Sequence, residues 1–123
     1  MMKHKMYVIF AKESIDKMKG NRGKMCAQAG HAYLHTFIHA TTVTPKLATA
    51  YLENKHAYKI ALVVDTVEQL QELQAAYKDV CATKLITDAG FTVFSEPTTT
   101  CLGLGPISED LIGADLQSIK VFC

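Results

Sequence analysis

The sequence predicts an α/β fold in three layers: one domain over residues 1–123, with a mixed sheet of about four strands between helices on both faces. Three observations carry this expectation. Short apolar runs rich in β-branched and aromatic residues recur along the chain, Pro-free stretches of helical character alternate with them, and 123 residues at 49% hydrophobic content suffice for one core but not comfortably for two.

Residues 5–11 (Lys-Met-Tyr-Val-Ile-Phe-Ala) read as a buried strand, followed by a polar loop over 12–24 that Gly20 and Gly23 punctuate. Residues 25–40 lack Pro, are dense in Ala and place apolar side chains on nearly every face, which predicts a helix packed on several sides. Thr44-Pro45 supplies an N-cap and a Pro in the first helical position, opening a second helix to about Asn54. Residues 58–64 are a second buried strand, and Thr66-Val67-Glu68-Gln69 has capping-box spacing for a third helix running to about Asp79. A strand is expected over 82–87, a turn at Asp88-Ala89-Gly90 and a short extended piece over 91–94. A further strand over 98–104 closes at Gly105-Pro106, a short acidic-tipped helix starts at Ser108, and residues 118–122 finish as an edge strand. The close strand pair around Pro97 predicts an antiparallel member of the sheet.

Composition narrows the function classes. No stretch reaches the ~20 apolar residues of a bilayer span, and residues 1–11 lack the apolar run of a secretory signal, so a soluble, cytoplasmic chain with no membrane partner is expected. Cys26, Cys81, Cys101 and Cys123 are widely spaced, with neither a Cys-x-x-Cys pair nor a His at zinc-finger distance; free thiols, no metal and no cofactor are the expectation. The net charge of +1 hides an asymmetry: residues 1–24 hold seven basic and two acidic side chains, whereas residues 65–123 hold three basic and nine acidic ones. One end of the chain would attract a polyanion.

Gly20-Asn21-Arg22-Gly23-Lys24 leads straight into the Ala-rich helix, whose positive end and amide groups make it an anion-site candidate. It is not a Walker A loop, because its first glycine is too close to the Gly-Lys pair and Met25 stands where Ser or Thr would hold magnesium. Lys24, Gln28, His31 and His35 fall at i, i+4, i+7 and i+11, within about 60° of arc at ~100° per residue, so a polar stripe begins at that site. It is either a solvated face or a functional one. Asp88 stands at a strand end, where α/β sheets present functional groups, with Thr92 and Thr98-Thr99-Thr100 shortly beyond. A carboxylate there can orient or deprotonate a water and a hydroxyl can donate to an ester oxygen, although Asp-Ala-Gly is also a common turn and Thr a common strand residue. Thiol catalysis is disfavoured, since Cys26 and His31 lie about 140° apart on the helix and Cys101 has no evident partner.

These pieces coincide with one family. Gly23-Lys24-Met25-Cys26-Ala27-Gln28-Ala29-Gly30-His31-Ala32 resembles the Gly-Lys-x-x-Ala-Gln-x-x-His-Ala helix start of the type II peptidyl-tRNA hydrolases of archaea and eukaryotes. Asp88-Ala89-Gly90-Phe91-Thr92 is similar to that family's Asp-Ala-Gly-x-Thr turn, and residues 100–106 (Thr-Cys-Leu-Gly-Leu-Gly-Pro) to its Thr-x-Leu-Gly-x-Gly-Pro segment, followed by Asp110-Leu111-Ile112. The resemblance runs from the first strand to the C-terminus. It implies metal-free hydrolysis of the ester in peptidyl-tRNA, with Lys24, Asp88, Thr92 and Thr100 as the active-site cluster and a homodimer as the assembly to test. Gln28 and His31 match the helix signature and are grouped with Lys17, Lys19 and Arg22 as substrate- or tRNA-binding candidates. Two features depart from the family pattern: Phe91 stands where members often carry a basic residue, and the loop before Lys24 is slightly longer than usual. The alternative to the enzyme is a tRNA- or protein-binding module on the same fold with weak or no turnover, and the fate of a labelled peptidyl-tRNA separates the two.

Overall fold

The apolar runs form a mixed sheet in the computed structural model, which describes residues 3–90 and 94–123. Strand β1 (His4–Ala11) is parallel to β2 (Tyr58–Val64) on one side and antiparallel to β4 (Thr98–Ser108) on the other. Strand β3 (Thr83–Asp88) pairs antiparallel with β4, the short β5 (Lys120–Val121) pairs antiparallel with β2, and the sheet order is β3-β4-β1-β2-β5. Five strands among the described residues therefore stand where about four were expected. The anticipated antiparallel pair around Pro97 is β3 with β4.

Alternation along β1 divides the core. Tyr7, Ile9 and Ala11 face one side, where Leu70, Leu73 and Tyr77 of α4 (Val67–Tyr77) and Leu116 of α5 (Ala114–Gln117) cover them. Val8 and Phe10 face the other, against Ile15 of α1 (Lys12–Lys17), Met18, and Met25, Ala29, Ala32 and Tyr33 of α2 (Arg22–Val43). Helix α3 (Pro45–Glu53) packs Ala48 beside Ala40 of α2 and Ala82. Helices thus cover both faces of the sheet. The capping box predicted at Thr66 is present, with Thr66 Oγ1 accepting from the Gln69 amide and Gln69 Oε1 from the Thr66 amide.

Helix α2 is longer than predicted and lies flush on β4 through small residues. Ala32, Thr36 and Ala40 recur every fourth position on its buried side, and Gly103 lies beneath them. A Cβ on Gly103 would sit 2.0 Å from Thr36 Oγ1 and 2.7 Å from the Ala32 carbonyl oxygen, so only glycine permits this approach. The opposite side exposes Leu34 and Ile38, contrary to the expectation of a helix enclosed on several sides.

Three local expectations are corrected. The stretch read as a polar loop over 12–24 contains α1, held by Ser14, whose buried hydroxyl donates to the Thr99 carbonyl at 2.6 Å. Strand β4 runs through Gly105-Pro106 to Ser108, because the ladder to β1 is irregular there, between Lys5 and Tyr7, and the amide that Pro106 lacks is not needed at the irregularity. The short helix expected from Ser108 is a 3-10 turn at Glu109–Leu111, with α5 following after Gly113. The extended piece expected over 91–94 falls mainly outside the described residues.

Candidate active site

The first turn of α2 aims Lys24. Asn21 caps the helix, its side-chain oxygen accepting the Lys24 amide at 2.9 Å, and the lysine side chain returns to the sheet, where Nζ meets Asp88 Oδ1 at 2.5 Å. The two residues are 64 positions apart and largely shielded, with 15% and 11% of their side-chain surfaces exposed. The Lys24 ammonium also lies 5.9 Å from the ring centre of the buried Phe94.

Asp88 closes β3 as the chain turns. Its second oxygen accepts the Gly90 amide at 2.9 Å, an Asx-type turn for which Gly90 adopts φ +87°, and a Cβ there would meet the Glu96 backbone at 2.5 Å. The hydrogen bond from Lys24 holds the Asp88 carboxyl below the usual carboxylate range, despite desolvation, which pushes it upward. The Gly90 amide, the charge of Lys24 and the nearby His31 act in the same direction as that hydrogen bond, so Asp88 is a carboxylate at neutral pH.

Gln28 stands one helical turn beyond Lys24 and is 3% exposed. Its Nε2 approaches Asp88 Oδ1 at 3.5 Å, while its Oε1 accepts a 2.7 Å hydrogen bond from the fully buried Thr100 hydroxyl. The β3–β4 register explains how Thr100 gets there: Ile86 pairs with Cys101 and Thr87 with Thr99, leaving Thr100 as the extra residue of a bulge. Lys24, Gln28, Asp88 and Thr100 are thereby joined in one hydrogen-bonded chain drawn from α2, β3 and β4.

His31 and His35 are exposed, with rings stacked 5.7 Å apart, and with Gln28 they form one wall of a groove of about 420 Å³ whose other wall is residues 84–89. Lys17 and Lys19 line a separate hollow of about 350 Å³ that includes Phe94, the residue beneath Lys24; Arg22 is exposed at the start of α2 and does not line it. Thr98 and Thr99 stay outside the cluster, the former donating to the Glu96 carbonyl and the latter paired with the Thr87 hydroxyl. Thr92 and Phe91 lie outside the described residues.

Burial pushes the thiols of Cys81 and Cys101 up to about 12, leaving both protonated and unsuited to nucleophilic attack. No group of three or more His, Cys, Asp or Glu side chains among the described residues could hold a metal ion, and no helix among them is long and apolar enough to cross a membrane. In the sequence Asn21 and Gly90 read only as members of the Gly20–Lys24 and Asp88-Ala89-Gly90 motifs, without a role of their own, and Phe94 is not singled out. For Asn21 the signal was present, an N-cap residue directly before a helix; for Gly90 it was the Asp-x-Gly spacing; Phe94 had none.

The arrangement provides an ionised carboxylate, a neighbouring ammonium and a buried amide with its oxygen already engaged, a set suited to polarising a carbonyl and orienting water. The model of the family described as peptidyl-tRNA hydrolase PTH2 matches residues 4–122. The chain is 33% identical over 108 residues to a peptidyl-tRNA hydrolase of Methanococcus vannielii, covering 85% of this chain and 90% of the relative. A peptidyl-tRNA hydrolase of Methanopyrus kandleri is 34% identical over 107 residues, covering 84% and 90%. A probable peptidyl-tRNA hydrolase 2 of Schizosaccharomyces pombe is 37% identical over 103 residues, covering 82% of this chain and 49% of that longer protein.

Proposed function

The chain belongs to the PTH2 family of peptidyl-tRNA hydrolases, and on that premise we propose that it hydrolyses the ester joining a peptide to the terminal ribose of tRNA, releasing both. The observation that carries the reading beyond family membership is the shielded Lys24–Asp88 pair, held in register by Gln28 and Thr100. Water attacks the ester carbonyl, the bond from the carbonyl carbon to the ribose oxygen breaks, and the proton lost by the water ends on the departing ribose oxygen. A carboxylate held below its usual range is a weak proton acceptor, so Asp88 serves mainly to orient the water and anchor Lys24, whose ammonium stabilises the developing oxyanion. Thr100, buried with its hydroxyl on Gln28, is a positioning residue; Thr92 is kept in the proposed cluster on the strength of its motif.

Lys17, Lys19 and Arg22 are proposed to receive the tRNA backbone, and Gln28 and His31 to contact the substrate near the ester. The reading includes a cytoplasmic location, one functional domain over residues 1–123, a homodimer, and turnover without metal or cofactor. Incubation with end-labelled peptidyl-tRNA tests it: release of free tRNA that survives exhaustive chelation on prefolded substrate is the expected result. Retention of intact substrate would leave a binding module, and cleavage that returns only with added zinc would defeat the metal-free mechanism.

A further inference from the structure

Strand β3 lies at the border of the sheet, with β4 on its inner side and no described strand on its outer side. The Ala82 carbonyl accepts from the Gly105 amide at 2.9 Å and the Ile86 carbonyl from the Thr100 hydroxyl at 3.4 Å, so both carbonyls turn inward. Main-chain groups alternate in direction along a strand, which turns those of Thr83 and Leu85 to the outer side. The groove beside Asp88 is lined there by the six consecutive residues 84–89. A groove lying against one face of a strand would meet every second side chain only, so this one opens on the strand's edge, where the main chain is presented.

We infer that the outer edge of β3 binds the peptide part of peptidyl-tRNA by main-chain pairing, as an added strand parallel to β3. This rests on the hydrolase reading and assigns the groove within it. Direction follows from chemistry: the ester is at the peptide's C-terminal end and the Lys24–Asp88 pair is at the C-terminal end of β3, so the two chains run the same way. What all peptides share is their backbone, and an edge strand reads backbone while side chains point alternately away. The RNA has its own place, because the hollow holding Lys17 and Lys19 shares no lining residue with the groove and reaches Lys24 through Phe94. Lys24 then stands between the two, at the ester. At ~3.3 Å per residue, the six residues of β3 can pair with about five or six residues of peptide.

The test uses the native chain with peptidyl-tRNAs carrying a single N-methyl residue at successive positions from the ester. A parallel pair engages every second residue of the added strand, so kcat/KM should fall about five- to tenfold at alternate positions and change less than about twofold between them. Equal losses at every position, or none, would overturn the pairing. A second readout is independent of turnover: a non-hydrolysable amide analogue of peptidyl-adenosine should slow hydrogen exchange at the Thr83 and Leu85 amides, and adenosine alone should not. Protection by adenosine alone would give the groove to the RNA end and overturn the inference. Protection and binding without cleavage of the native ester would sink the hydrolase reading and leave the pairing standing; cleavage with neither alternation nor protection would do the reverse.

Discussion

Thr100 and Cys101 are consecutive residues of β4, yet both side chains reach Gln28: the threonine hydroxyl bonds its side-chain oxygen at 2.7 Å and the Cys101 sulfur lies 3.7 Å from its main-chain oxygen. In a regular strand they would point to opposite faces, and the bulge at Thr100 brings them to the same one. Thr100→Val keeps the shape and leaves the buried Gln28 oxygen without its donor. A stability loss of about 1–3 kcal/mol in urea titrations is expected, with a fall in kcat larger than any change in KM. An unchanged midpoint and rate would show that the hydroxyl does not hold Gln28.

The ion pair gives the kinetic prediction. Lys24→Ala and Asp88→Asn should each lower single-turnover cleavage by about 10²–10³ while circular dichroism stays parental. Because the two side chains form one unit, the double variant should lose much less than the product of the single losses. Parental rates in both single variants would remove the pair from the mechanism.

Acid should uncouple the pair in a defined direction. Lys24 holds the folded-state pKa of Asp88 below the unfolded value of about 3.9, so the associated stability is fully present above that value and is lost as pH falls through the lowered folded pKa. Denaturant midpoints measured from pH 6 downward should therefore drop in the parental chain, and Asp88→Asn should lack this share of the drop. Identical acid profiles for the two proteins would contradict the coupling.

Binding of tRNA is expected to depend on salt through the N-terminal cations. Lys17→Ala, Lys19→Ala and Arg22→Ala should each weaken binding similarly across tRNA sequences and lower the slope of log K against log salt by about one. Filter binding between low and moderate salt measures this, and unchanged slopes in all three would place the RNA on another surface.

Much of the fold and of the candidate site is legible in the amino-acid sequence. The strands over residues 5–11 and 58–64 announce themselves by unbroken β-branched and aromatic runs, and Lys24, Gln28, Asp88 and Thr100 by motifs in fixed order. Helix α1 was not legible, because six residues carry too little periodicity and its tie to the sheet, Ser14 to Thr99, is 85 positions long. The bulge at Thr100 was hidden for a similar reason: a bulge is a relation between two strands, and β4 alone shows no sign of it. Pro106 misled because the local rule, that proline ends a strand, yields where the neighbouring ladder is already irregular.

Gly103 supplies a packing prediction. Gly103→Ala would drive a methyl into Thr36 Oγ1 and the Ala32 carbonyl, costing about 1–3 kcal/mol and lifting α2 from β4. Since Lys24 and Gln28 ride on that helix, cleavage should fall further than the stability loss alone explains. Adding Thr36→Ala removes one of the two clashes and should restore part of both, as thermal melts and initial rates would show.

The position of Asp88 at the end of the border strand also sets how the protein should fail under heat. Border strands are held from one side and open locally at a lower free-energy cost than the centre of a sheet. A brief parting of β3 from β4 would carry Asp88 away from Lys24 and Gln28 while β1, between β4 and β2, stayed paired. Heat inactivation should thus be a local event that precedes the cooperative melt and reverses on cooling, with the Asp88 end of β3 acting as the molecule's thermal fuse.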